Sequence, residues 1–224
     1  MALAFLTEPR VLARVLPFAV YMAFLAVEGL VASYWPELDA RWIYPVKVGA
    51  VSLVLWHYRA EYRELFARPD PRWTVLVAPL LGIAVFVLWI NLDIGWLSLG
   101  GGAGFDPSDD GAVRWDLALL RLAGAALVVP LMEELFWRSF LLRWIDQADF
   151  PALEPARISL RALLISSLLF GLEHTLWFAG ILAGLAYGWL YRASGNLWAP
   201  IVSHATTNLL LGIWVLHTGA WSFW

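Results

Sequence analysis

Cysteine is absent from this 224-residue chain. That excludes a disulfide framework, a thiolate nucleophile and a thiolate metal site. Charge is scarce as well: Asp, Glu, Lys and Arg make up 15% of the residues, against about 25% in soluble domains. The formal net charge is only -3 and no basic stripe runs along the chain, so nucleic acid is not expected as a partner. A cleavable signal peptide is lacking too, because Met1 to Pro17 carries Glu8, Arg10 and Arg14 and has no small-residue cleavage site. That segment reads as an interfacial helix leading into the first membrane span. No internal repeat, soluble domain or linker is visible, so residues 1–224 read as a single integral membrane domain.

What the chain has in excess is apolar surface. Hydrophobic residues reach 61% and the mean hydropathy is +0.69, well above the roughly 45–50% apolar content of soluble domains. Fifteen tryptophans and seven tyrosines suit a protein anchored at two lipid–water interfaces. A helix crosses the hydrocarbon in about 20 residues. On that measure spans are expected near Val15–Ser33, Ile43–Tyr58, Trp73–Leu92, Trp115–Ile145, Leu160–His174, Leu176–Tyr191 and Leu197–Leu216. The fold class is therefore all-α: a polytopic membrane helical bundle of about seven transmembrane helices plus the N-terminal interfacial helix. Arg59, Arg63, Arg68 and Arg72 crowd the second loop, and Arg143, Arg157 and Arg161 the fourth, whereas Asn91 to Arg114 is glycine-rich and acidic. The positive-inside rule then puts the N-terminus in the cytoplasm, with a bacterial inner membrane as the expected location.

Two loop patterns invite overreading. Gly100-Gly-Gly-Ala-Gly104 has no following Lys-Ser/Thr and is not a phosphate-binding loop. Asp106 to Gly111 lacks the alternating ligands and terminal Glu of a calcium-binding loop.

Ionisable residues inside spans are costly and usually face a bundle interior or a wet cavity. Glu133 and Glu134 sit in an otherwise apolar run, with Arg138 four residues after the second. On a helix Glu134 and Arg138 share a face, while Glu133 points about 100° away. One arginine neutralises one carboxylate, which leaves Glu133 as a spare base. His174 closes Phe170-Gly-Leu-Glu-His174, and His204 opens His204-Ala-Thr-Thr-Asn208, each pair sharing a helix face. At about 1.5 Å per residue, Glu133 lies roughly 15 Å from the inner end of its helix and His204 about 10 Å from the inner start of the last; His174, roughly 20 Å along, is nearer the middle. Such a set supports hydrolysis in a water-filled cavity, with Glu133 as general base and His204 and Asn208 as donors to an oxyanion. A divalent metal such as zinc, held by Glu133, His174 and His204, is the alternative to a metal-free site. Lys47 and Asp116 read as snorkelling span-end charges. Glu28 and Arg121 read as deeper groups that pair across helices or line the cavity.

Glu133-Glu134-x-x-x-Arg138, Phe170-x-x-x-His174 and His204-x-x-x-Asn208 together resemble the three motifs of the CAAX prenyl protease and bacteriocin-processing (Abi) family of intramembrane peptidases. The run from Glu133 to Trp144 is also similar to its bacterial CAAX prenyl protease-related branch, associated with exosortase systems. The resemblance covers about Trp115 to Leu216. It implies an endopeptidase in which Glu133 and His174 activate water, His204 and Asn208 stabilise the transition state, and Glu134 and Arg138 support the site. The implied partners are membrane lipid and a membrane-anchored protein or peptide substrate. A non-catalytic scaffold or immunity factor, and a proton-coupled transporter, are the rival classes. The lack of an inverted repeat counts against the transporter.

Overall fold

A computed structural model describes residues 7–100 and 104–224. They form an all-α bundle of seven helices: α1 (Pro9–Tyr34), α2 (Ile43–His57), α3 (Arg72–Asn91), α4 (Trp115–Trp144), α5 (Leu160–Leu172), α6 (Trp177–Ser194) and α7 (Trp198–Thr218). The small exception is a hairpin of β1 (Ser108–Asp109) and β2 (Ala112–Val113), turned through Asp110 and Gly111, both at positive φ. α1, α3, α4 and α7 are long and apolar enough to cross a bilayer; α2 and α5, of 15 and 13 residues, are shorter. The expected interfacial helix falls partly outside the described residues. From Pro9 onward the chain is one helix with the first span, and Pro17 is accommodated inside it.

The outward faces are apolar, as lipid requires. Leu53, Val75 and Leu127 are each about 70% exposed or more, an inversion of the soluble pattern. Charged groups go inward instead. Arg14, on α1, is buried and donates to Glu64 at 2.7 Å and to the Ser139 hydroxyl at 2.9 Å, tying the α2–α3 loop to α4. Arg143, expected with the fourth loop, is instead the penultimate residue of α4 and is buried, donating to the Tyr191 hydroxyl at 3.2 Å. Lys47 does not snorkel either. It is fully buried and pairs with Glu28 at 2.9 Å, its ammonium lying over the rings of Tyr21 and Tyr44. Asp116 is a surface group paired with Arg114 at 2.6 Å.

Two features of the helices set up the interior. α5 and α6 form a hairpin broken at residues 173–176, close to the boundary expected around His174-Thr175. They pack at backbone distance: a Cβ on Gly171 would sit 2.5 Å from the Trp177 carbonyl oxygen, and one on Gly184 would sit 2.9 Å from Ser167 Cα. Small residues at such contacts are what let helices approach in lipid. α4 in turn changes pitch twice, with π-helical stretches at Gly124–Val128 and Leu135–Leu141. In the first, Val129 N–H reaches back five residues to the Gly124 oxygen. Its successor in that register is Pro130, which has no N–H to give Ala125.

Candidate functional site

The carbonyl that Pro130 leaves without a backbone donor is taken by a residue from another helix. Asn208 Nδ2, on α7, donates to Ala125 O at 2.9 Å. One turn earlier on α7, His204 is buried beside α4. Its Nδ1 lies 2.9 Å from Glu134 Oε1, and its Nε2 lies 4.0 Å from Glu133 Oε2. Glu134 Oε1 also accepts from Arg138 at 3.1 Å, the pairing expected from their spacing. The two carboxylates thus differ in kind. Both are buried with an Oε2 that lacks a hydrogen-bond partner, but Glu134 is held through Oε1 between a guanidinium and an imidazole, whereas the nearest cationic nitrogen to Glu133 is His204 Nε2 at 4.0 Å.

Aromatic rings fix the surroundings. Tyr187, on α6, stacks on His204 at 5.0 Å with planes 19° apart. Its hydroxyl donates to Thr207 Oγ1 at 2.7 Å, and that hydroxyl donates in turn to Gly82 O, on α3, at 2.9 Å. Phe170 lies between the two imidazoles, 4.6 Å from the His174 ring and 6.3 Å from that of His204. The Arg138 guanidinium covers Phe170 at 4.5 Å. His174 projects from the end of α5 with Nδ1 2.7 Å from the Phe170 carbonyl. A carbonyl can only accept, so Nδ1 carries the proton and Nε2 of the neutral ring is left as an acceptor.

Glu133, His174, His204 and Asn208 all line one cavity of about 350 Å³. Pro130, the helix break after Leu172 and the aromatic clamps together aim side chains from three helices into it. Glu134 and Arg138 lie behind this wall. A second chamber shares Trp89, His174 and Thr175 with the first and reaches Asp93 and Ser98. Helical rise alone put Glu133 and His204 in the inner half of the bundle. The second chamber extends to the 91–114 segment, with Asp93 and Ser98 in its lining, and there Leu99 N–H bonds the Thr175 carbonyl at 2.9 Å, next to His174. For zinc the fit is poor: among the described residues no three of His, Asp and Glu are grouped to hold a metal ion, and Glu133, His174 and His204 are no exception.

Two cavity residues escape the motif reading. Glu173, beside His174, lines the cavity with its Oε2 buried and without a hydrogen-bond partner; sequence adjacency left its direction open. Tyr187 gave no signal at all, since one tyrosine in an aromatic-rich span looks like every other.

Residues 115–210 match the family model for type II CAAX prenyl endopeptidases, Rce1-like. This is the family that the three motifs resembled. The matched segment takes in α4, α5, α6 and most of α7, and with them every residue of the cluster. Membrane-embedded protease is therefore the class of activity that the match supports. No curated protein and no solved structure matches the chain.

Proposed function

We propose that the protein is an intramembrane endopeptidase that hydrolyses a peptide bond of a membrane-associated protein or peptide in CAAX-type C-terminal processing. The observation that carries this reading is the Glu133 carboxylate: buried, without a hydrogen-bond partner at Oε2, and 4.0 Å from His204 Nε2 in the cavity it shares with His174 and Asn208. A cavity of that size holds water and a segment of peptide backbone.

In this mechanism Glu133 takes a proton from water held between its carboxylate and His174 Nε2, and the hydroxide adds to the scissile carbonyl. Asn208 commits one Nδ2 proton to Ala125 and keeps the other for the oxyanion, beside His204. Glu133 then hands its proton to the leaving nitrogen, the C–N bond breaks, and a carboxylate and an amine result. Glu134 fixes the His204 ring through Nδ1, and Arg138 holds Glu134. The whole chain acts as one membrane domain with a cytoplasmic N-terminus in a bacterial inner membrane. The 91–114 segment, which lines the second chamber through Asp93 and Ser98, then lies on the extracytoplasmic side.

The deciding experiment is cleavage of quenched fluorescent membrane peptides by the purified protein in lipid nanodiscs. Glu133→Gln, which keeps shape and removes the base, is expected to lower kcat at least 10²-fold, the usual contribution of general acid–base catalysis. Undiminished cleavage by Glu133→Gln would falsify the role given to this carboxylate.

A further inference from the structure

The second chamber, of about 480 Å³, has no role in the hydrolytic mechanism. It begins at residues it shares with the first chamber, among them His174, Trp89 and Trp224. It ends at Asp93, Ser98 and Ser222, which line the second alone. Separate pieces of chain are tied together to build it. Gly219, at φ 70°, turns the 219–224 segment back from α7. In that segment Phe223 packs edge-on against Trp214 at 5.1 Å, and the Trp224 carbonyl accepts from Phe105 N–H at 3.1 Å. The 95–99 loop is pinned to the α5–α6 hairpin by Leu99, and again by Trp177 Nε1, which donates to the Trp96 carbonyl at 3.0 Å. Trp89, near the end of α3, sets its indole edge-to-face with the His174 ring at 5.3 Å.

Charge in this lining has one sign. Asp93, two residues past the end of α3, is the only Asp, Glu, Lys or Arg in it. Its side chain is exposed and makes no ion pair or hydrogen bond among the described residues. By contrast Asp109 pairs with Arg41 at 2.7 Å, and Asp116 with Arg114 at 2.6 Å. The remaining large groups are the rings of Trp89, Phe223 and Trp224, and aromatic faces attract cations. The chamber thus runs from rings beside His174 to a free carboxylate at its far end. Lysine and arginine have the matching make-up, an apolar stem that carries a charged head. Norleucine would satisfy the rings alone, and an acidic side chain would meet repulsion from Asp93.

We infer that the second chamber is a subsite for a lysine or arginine side chain of the substrate, an assignment that rests on the endopeptidase reading. The stem lies against Trp89 and Trp224, and the ammonium or guanidinium reaches Asp93. Because the chamber starts at His174, its occupant belongs to a residue flanking the bond to be cut. Asp93 is then a specificity residue: it touches the substrate away from the reacting atoms and selects the sign of one side chain.

Fluorescent membrane peptides that carry lysine, norleucine or glutamate at one position at a time supply the test. Binding to the Glu133→Gln protein in nanodiscs, followed by anisotropy, requires no turnover. At the flanking position the lysine peptide is expected to bind about 5- to 30-fold more tightly than the norleucine peptide, as a cation–π contact with an exposed ion pair implies. The glutamate peptide should bind more weakly than either. Added salt should shrink the preference, because the Asp93 carboxylate is exposed. In the same background Asp93→Asn should remove most of it, and Asp93→Lys should turn it toward glutamate, a reversal that an unfolded variant cannot produce. Cleavage by the wild-type protein should rank lysine above norleucine as well, mainly in KM. A lysine preference in binding without any cleavage upholds the subsite and removes the protease reading. Cleavage with lysine and norleucine equal at every position, in both assays, overturns the subsite and leaves the protease. A free peptide N-terminus is the other cation that could enter. Binding that follows a free over an acetylated N-terminus, with lysine and norleucine equal, assigns the chamber to that terminus and overturns the side-chain subsite. The lysine–norleucine comparison within one folded protein does not depend on any Asp93 variant folding.

Discussion

Glu134 is placed to do two separable jobs, and a pair of variants pulls them apart. Its Oε1 neutralises Arg138 at 3.1 Å and holds His204 Nδ1 at 2.9 Å. Glu134→Gln keeps the shape but leaves a buried guanidinium with only rings and the Gly184 carbonyl at 3.5 Å. Breaking a buried pair on one side costs about 3–5 kcal/mol, so the single variant should lose much of its thermal stability. For activity, a neutral hydrogen bond replaces a charge-assisted one on His204. That is a loss of about 1–2 kcal/mol and a fall of roughly 5- to 30-fold in kcat/KM. Removing the orphan as well, in Glu134→Gln/Arg138→Met, should restore stability because both charges leave together. It should not restore activity, because the imidazole still lacks its carboxylate. Thermal unfolding in nanodiscs and peptide cleavage give the two readouts. A double variant no more stable than the single one, or one that cleaves at the wild-type rate, would refute the division of labour.

Two further outcomes follow from contacts elsewhere. Asn208→Ala leaves the Ala125 carbonyl without a donor beside Pro130, and should cost about 1–3 kcal/mol in addition to any loss of turnover; thermal denaturation in nanodiscs checks it. Outside the membrane, burial tends to raise the Asp146 carboxyl. The Ser159 backbone N–H at 2.6 Å, its hydroxyl at 2.7 Å and nearby Arg161 outweigh this and hold it below the ordinary carboxylate value. A depressed carboxyl contributes stability that is fully present above the unfolded value, near 4, and is lost as pH falls through the folded one. Asp146→Asn should therefore unfold at lower temperature than wild type at pH 7, with the gap closing below about pH 4. A gap that is constant with pH would show that the carboxylate charge is not what holds the α4–α5 loop.

The helix pattern was legible before any coordinates. Runs of apolar residues with arginine-rich and acidic loops between them place α2, α3, α4 and α7 within a few residues, because lipid admits only elements that satisfy their own backbone. The Glu134–Arg138 pair was legible too, since four-residue spacing is a local property of a helix. Local periodicity could not show that Lys47 turns inward, because its partner Glu28 and the ring of Tyr21 come from α1, and only Tyr44 lies on its own helix. Nor could it show that His204 is shared between the two glutamates, or that Asn208 answers a carbonyl orphaned by Pro130. Those contacts join α4 to α7 across seventy or more residues of sequence, and depend on π-helical stretches that rotate α4 within its own length. Composition and spacing settled which residues are available for chemistry in the membrane. How they meet was decided by packing, because an apolar medium makes each charge seek whichever partner the helices bring within reach.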